Sequence, residues 1–81
     1  MKRIAIDLGQ GVYLPGLVRA EHGESVDFYQ GQALRNWVGR DRALTVEFLP
    51  ADVTRVLFRE WERLETWAMY DQRDGRSAID Y

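Results

Sequence analysis

The segment 50–72 constrains the fold most, because its apolar residues recur at the spacing of one helical face. Pro50 suits the first helical position, Asp52 lies in the first turn where the helix dipole favours an acid, and Gly75 follows as a stop. At 1.5 Å per residue this helix is roughly 35 Å long. An arc of about 140° on it is the predicted core face, which consists of Val53, Val56, Leu57, Trp61, Leu64, Trp67 and Ala68. Such a face has to be covered, and a sheet is the partner that the rest of the chain offers.

The residues before Pro50 alternate between apolar and polar side chains, which is typical of half-buried strands. Glycines lie in the predicted turns between these strands, and the pair Pro15-Gly16 suits the centre of a type II turn. Because proline cannot donate to a strand ladder, the strand that contains it is predicted to be bent, bulged or at an edge. The predicted strands are 3–8, 12–20, 25–29 and 43–49.

The stretch 25–38 has two interpretations. One is a single helix capped by Ser25. The stripe of that helix would consist of Val26, Tyr29, Ala33 and Trp37. The other is a strand followed by a short helix at 32–38 that ends at Gly39, which Gly31 and the Val, Phe and Tyr content favour. We adopt the second interpretation.

These segments together predict an α+β fold, in which an antiparallel sheet of about four strands carries the 50–72 helix across one face. A short helix at 32–38 completes it, and residues 77–81 either dock as a short strand or stay loose. Eighty-one residues allow a single domain over 1–81. No apolar run approaches the ~20 residues of a membrane helix, and Asp7 comes too early for a signal peptide. We therefore expect a cytoplasmic protein.

The composition favours protein binding over nucleic-acid binding. Eleven basic residues against thirteen acidic ones give a net charge of −2, whereas a dedicated DNA binder usually carries a basic excess. Ten of the eleven basic residues are Arg, which a GC-rich genome would explain without any function. Arg, Trp and Tyr are, however, the residue types that dominate binding hot spots. The absence of cysteine excludes disulfides, thiolate catalysis and zinc–thiolate sites.

The helix face opposite the core arc carries the main candidate site. Arg55, Arg59 and Arg63 form a row at i, i+4 and i+8, with Tyr70 close to the same line. Like charges at that spacing repel one another, so folding alone does not explain the row. The simple interpretation is a solvated face in which Glu62 partly compensates Arg59. The functional interpretation is a basic stripe for an acidic partner.

Two neighbouring features complete this site. Phe58 and Met69 lie on one flank of the helix, away from the core arc, where they suit a partner or self-association surface. Glu60 falls inside the apolar arc, so its carboxylate has to be paired or protonated, and either Arg63 or an arginine from the sheet could pair with it. The partner-binding residues predicted from the sequence are Arg55, Phe58, Arg59, Arg63 and Tyr70.

Catalytic arrangements are weak in this chain. His22 is the single histidine, and it could form a serine triad only with Ser25 and Asp27, all in one short turn without an oxyanion site. The segment Asp7-Leu8-Gly9-Gln10-Gly11 is similar to the phosphate loop of actin-like and sugar-kinase ATPases, but those folds need two lobes of much greater length. Residues 71–75 lack the spacing and terminal Glu of a calcium loop.

An acid that closes a first strand also resembles ribonuclease H-like nucleases, which bind two metal ions through further carboxylates. Asp7 would then need Glu47 and Glu60 as partners. Glu47 is expected to point away from the apolar side of its strand, so this nuclease is the weakest hypothesis. We expect no catalytic residue, no metal and no cofactor.

The favoured function is a small non-catalytic protein-binding module that inhibits by occupying a partner protein. Phage-type anti-defence proteins, antitoxins and immunity proteins act in this way, and a homodimer is a further option. The alternative is a nucleic-acid-associated regulator, because Arg side chains around an aromatic ring can clamp single strands. The alternative nucleic-acid patch consists of Arg35, Trp37, Arg40 and Arg42.

Overall fold

The computed structural model describes the backbone of residues 1–73 and the side chains of residues 1–69. This part of the chain is a five-stranded antiparallel sheet followed by one long helix, so the predicted α+β class is confirmed with one strand more than expected. The elements are β1 (Lys2–Gly9), β2 (Val12–His22), β3 (Ser25–Gln30), β4 (Ala33–Val38), β5 (Ala43–Thr45) and α1 (Ala51–Arg73). Two 3-10 turns, Arg40–Arg42 and Val46–Phe48, flank β5.

The sheet is strongly curled. Its strand order is β4-β3-β2-β1-β5, so β4 and β5 lie at opposite edges, yet only residues 39–42 join them. Four inter-strand spacings would separate these edges by roughly 19 Å in a flat sheet. Five residue steps span at most roughly 18 Å even when fully extended, and the intervening 3-10 turn shortens that reach. The two edges must therefore bend toward each other.

The curl gives the protein two hydrophobic clusters, one on each face of the sheet. The inner cluster consists of Ile4, Ile6, Val18, Val26 and Phe28. It contains no residue of α1, and side chains from both edge strands pack against it. The outer cluster lies between the sheet and α1, and it consists of Ala5, Leu17, Tyr29, Leu49, Leu57, Trp61, Leu64 and Ala68. Successive residues of β1 thus enter different clusters, because side chains alternate across a strand.

The helix begins and is anchored much as its sequence predicts. The Thr54 amide donates to the Pro50 carbonyl at 3.0 Å, so Pro50 caps the first turn of α1. Trp61 is completely buried, and its indole Nε1 donates to the Ile4 carbonyl at 3.0 Å. A buried indole N–H needs such a partner. This bond ties the middle of α1 to the backbone of β1.

The predicted short helix at 32–38 is wrong, and so is the alternative of a single helix over 25–38. Residues 33–38 form β4, which pairs with β3 along its whole length, from Ser25 with Val38 to Gln30 with Ala33. Gly31 adopts a φ of 57°, which supports the tight turn between the two strands. The ladder to β3 pairs the backbone groups on one side of β4, and this long-range pairing outweighs the weak local helical pattern.

The predicted type II turn at Pro15-Gly16 is also wrong, because β2 runs straight through it with Pro15 opposite Ala5. Pairing with β3 begins only at Leu17, so Pro15 lies on a locally open edge where its missing N–H removes no ladder bond. The predicted edge position is therefore correct at Pro15, although not along the whole of β2. Gly16 has a separate role, because a Cβ there would come within 2.6 Å of the Phe28 ring.

The last predicted strand is shorter than expected. It ends at Thr45, and the following 3-10 turn leaves the Phe48 side chain 68% exposed instead of packed in line with Leu44. The predicted stop at Gly75 and the segment 77–81 lie outside the described residues. Over the residues described, no helix has the length and apolar character needed to cross a membrane.

Candidate protein-binding surface on the helix

The side of α1 that faces away from the sheet presents three arginines and one apolar residue, together with the exposed polar residues Asp52, Glu62 and Thr66. We call this surface the outer helix face, and it consists of Arg55, Val56, Arg59 and Arg63, all of which are exposed. The placement of Val56 in the core is wrong, since its side chain is 76% exposed. At 100° per residue it lies about 140° from Trp61, beyond the edge of the buried face.

The charges of the outer helix face are only partly compensated. Arg55 and Arg59 form no ion pair with any described residue. Arg63 lies 3.2 Å from Glu60, which confirms that pairing, but both side chains are exposed and Glu60 is not inside the apolar arc. The row spans about 12 Å, from the 1.5 Å rise per residue. The outer helix face thus keeps two unpaired guanidinium groups about 6 Å apart along the axis.

Glu62 does not compensate Arg59 by an ion pair. Its negative charge acts instead on Arg3 of β1, where it helps to raise the pKa of that guanidinium. The larger cause of the raised pKa is a hydrogen bond to Glu65, which accepts from Arg3 Nε and, at 2.9 Å, from Arg3 Nη2. The same contact lowers the pKa of Glu65. This paired contact, the Arg3–Glu65 clasp, links the start of β1 to α1.

Phe58 belongs partly to this clasp. Its side chain is 44% exposed, and the Arg3 guanidinium lies 5.4 Å from the centre of its ring, a cation–π distance. Phe58 is therefore on the flank of α1, about 100° around the helix from Arg59, as the sequence predicts. Met69 on the same flank is also exposed. The Tyr70 side chain lies outside the described residues, so its predicted place on the arginine row stays a prediction.

An open groove of about 1060 Å³ runs beside the outer helix face. Its lining includes the β3–β4 turn at Gly31 and Gln32 and a mixed set of side chains from α1, which are Arg59, Arg63, Glu60, Glu62, Glu65, Leu64, Thr66, Trp67 and Met69. Small-molecule sites enclose most of their ligand and are largely apolar. This groove is wide and open and does not enclose a small ligand, so its shape suits the surface of another macromolecule.

The alternative patch is only partly brought together. Arg42 lies over the Trp37 ring at 5.7 Å from its centre, and the Trp37 indole N–H donates to the Gly39 carbonyl at 2.7 Å. Arg35 lies two residues before Trp37 and on the same side of β4. Arg40 is engaged elsewhere, because it pairs with Glu21 at 2.7 Å. Three of the four predicted residues thus remain as a patch.

The serine–histidine–aspartate arrangement considered for the β2–β3 turn is not assembled. His22 Nε2 does lie 2.9 Å from Asp27, but the Ser25 hydroxyl donates to the His22 backbone carbonyl at 3.3 Å and not to the imidazole. Asn36 donates to Asp27 at 2.8 Å, and this bond, followed by the one from His22, lowers the pKa of Asp27. The turn is therefore a polar hydrogen-bonded corner without an activated hydroxyl.

The acids considered for phosphate or metal chemistry lie in separate places. The Asp7 carboxylate accepts from the Gly9 amide at 2.8 Å and so closes the β1–β2 turn. Glu47 lies in the 3-10 turn after β5, near the Thr45 hydroxyl, and Glu60 pairs on the helix. The residues that the structure describes contain no group of three or more His, Asp or Glu side chains suited to a metal ion.

Comparison with known proteins returns no significant match to a family model, a curated protein or a solved structure.

Proposed function

We propose that the protein is a small non-catalytic module that binds another protein through the outer helix face. One observation carries the proposal: the exposed Val56 lies about 60° around the helix from Arg59, and neither Arg55 nor Arg59 forms an ion pair with a described residue. Repulsion along such a row disfavours the helix slightly. A partner that neutralises the guanidinium groups and covers Val56 would remove both the repulsion and the exposure.

The chemistry of the face indicates an acidic partner surface. Arg guanidinium groups donate two parallel hydrogen bonds to one carboxylate, and they are weakly hydrated, which lowers the free energy needed to bury them at an interface. Complementary charge also speeds association. A module of this kind acts by occupying its partner, which is how inhibitors, antitoxins, immunity proteins and phage-type anti-defence proteins work.

Site-specific crosslinking tests this function. A photoreactive amino acid replaces Arg59 in the native host, and a matched variant carries it in place of Arg35, which is exposed on β4. The proposal expects the position 59 variant to trap one protein with an acidic surface, and the position 35 variant to trap that protein far less. Equal trapping at both positions, or none at position 59, would overturn it.

A further inference from the structure

A second unpaired basic surface lies around Trp37, on the side of β4 that faces the inner cluster. Trp37 is half-buried against that cluster, and its indole N–H is held by the Gly39 carbonyl. The ring orientation is therefore set by packing on one side and by a hydrogen bond at its edge. Arg42 lies over this ring with its guanidinium carbon 5.7 Å from the ring centre, so the two side chains form a cation–π pair.

The positive charge at this place is available to a ligand. Arg35 and Arg42 form no ion pair with any described residue, whereas nearby Arg40 is held by Glu21 and by the Gly23 carbonyl at 3.4 Å. Arg35 and Trp37 lie on the same side of β4, roughly 7 Å apart along the strand. The patch therefore combines a fixed aromatic ring, one guanidinium at cation–π distance from it and a second guanidinium without an ion pair.

We propose that Arg35, Trp37 and Arg42 bind single-stranded nucleic acid. A base would stack on the Trp37–Arg42 pair, since bases stack on aromatic rings and on guanidinium planes, and Arg35 and Arg42 would contact phosphates. An acidic peptide would use the two guanidinium groups but would gain nothing from the fixed ring. The fixed ring with its cation–π partner is the feature that favours a nucleic acid over a peptide.

The small number of charges sets the expected salt dependence. Two phosphate contacts on a single strand give a slope of about −1.4 for the logarithm of the binding constant against the logarithm of salt concentration. Binding is expected to be weak, since the chain has a net charge of −2. Asp41, between the two arginines of the 3-10 turn, adds a local negative charge, so Asp41→Asn should tighten binding.

Fluorescence anisotropy with a short labelled oligothymidylate tests the site. Arg42→Glu should weaken binding by about tenfold or more and reduce the salt slope by about 0.7. Arg59→Glu makes the same charge change on the outer helix face and should alter binding by less than about twofold. Equal effects of the two variants would show only general electrostatic attraction and would overturn the proposal, as would the absence of binding to the wild-type chain at low salt.

The indole resonance of Trp37 provides a second measurement, which general electrostatic attraction would not change. The indole N–H resonance of Trp37, assigned by its loss in Trp37→Phe, should shift when the oligonucleotide is added, while those of Trp61 and Trp67 stay in place. A polyglutamate peptide that competes for the site and shifts the Trp37 resonance equally would assign the patch to acidic proteins and contradict the proposal. Circular dichroism confirms that each variant is folded. Because this site shares no residue with the outer helix face, either proposal can fail alone.

Discussion

The buried indole of Trp61 makes a sharp test of how α1 is held on the sheet. Replacing Trp with Ala in a core typically costs about 3–5 kcal/mol, and the Ile4 carbonyl would also lose its partner, at roughly 1–3 kcal/mol. At roughly 0.05–0.15 kcal/mol per residue, a chain of this length has a total stability of about 4–12 kcal/mol. The combined loss is comparable with that total, so Trp61→Ala should unfold at a far lower urea concentration than the wild type or fail to fold.

A milder pair of variants tests the hydrogen bond together with the part of the indole that Phe does not replace. Trp61→Phe keeps an aromatic ring but removes the donor to Ile4, so it should cost about 1–3 kcal/mol and lower the Tm by roughly 4–24 °C. Trp67→Phe is the matched control, because Trp67 is half-buried, meets Tyr29 edge-to-face at 5.5 Å and donates to no described group. Its expected cost is below about 1 kcal/mol.

Urea denaturation followed by far-UV circular dichroism measures both free energies without relying on tryptophan fluorescence. Equal midpoints for Trp61→Phe and Trp67→Phe would refute the assigned role of the indole N–H. A Trp61→Ala variant that unfolds at the wild-type midpoint would refute the packing of α1 across β1.

Two further predictions concern the helix. Leu57→Ala should lower the free energy of unfolding by about 2–5 kcal/mol because Leu57 is buried. Val56 is its exposed neighbour, so Val56→Ala should change the free energy of unfolding by less than about 0.5 kcal/mol. Similar losses for the two variants in urea denaturation would contradict the orientation of the helix. Hydrogen bonds with Arg3 lower the pKa of Glu65 in the folded state. The clasp therefore stabilises the fold fully above the unfolded-state pKa of about 4.3, and this stabilisation is lost as the pH falls through the lower pKa of the folded state. Stability should consequently fall less between neutral pH and about pH 3 in Glu65→Gln than in wild type, and identical pH profiles would refute the clasp.

The long helix was predictable because its signals are local and agree with one another. Pro50 caps it, Asp52 lies in its first turn, and Leu57, Trp61 and Leu64 repeat on one face. The observed start at Ala51 differs from the prediction by one residue. Val56 was misplaced because an apolar side chain at the margin of a helical arc satisfies the pattern without being needed by the sheet.

The curl of the sheet was harder to predict, because it depends on contacts between residues far apart in the chain. β4 forms through pairing with β3, and the short link from Val38 to Ala43 bends the edges together. One signal was present in the sequence: Ile4, Ala5 and Ile6 are apolar at consecutive positions, which indicates a strand buried on both faces. This signal predicts a hydrophobic cluster on the second face of the sheet, which is the inner cluster.

The site residues show the same difference between features set by local spacing and features set by long-range contacts. The arginine row on α1 follows from helical spacing, so its shared exposure was predictable. The pairing of Arg63 with Glu60 was also predictable, since it lies within one turn of the helix, whereas the pairing of Arg40 with Glu21 was not, because it joins residues that are far apart in the chain. Likewise, the clasp that engages Phe58 depends on Arg3, which lies far away in sequence.

Calorimetry with the protein trapped at position 59 tests most directly whether the outer helix face binds the partner. Arg55→Glu combined with Arg59→Glu should weaken that complex by about tenfold or more, because like charges would then meet across the interface. Arg35→Glu combined with Arg42→Glu makes the same change in net charge away from the face and should alter affinity by less than about twofold. Unchanged affinity in the first variant, or an equal loss in both, would contradict a partner site on the outer helix face.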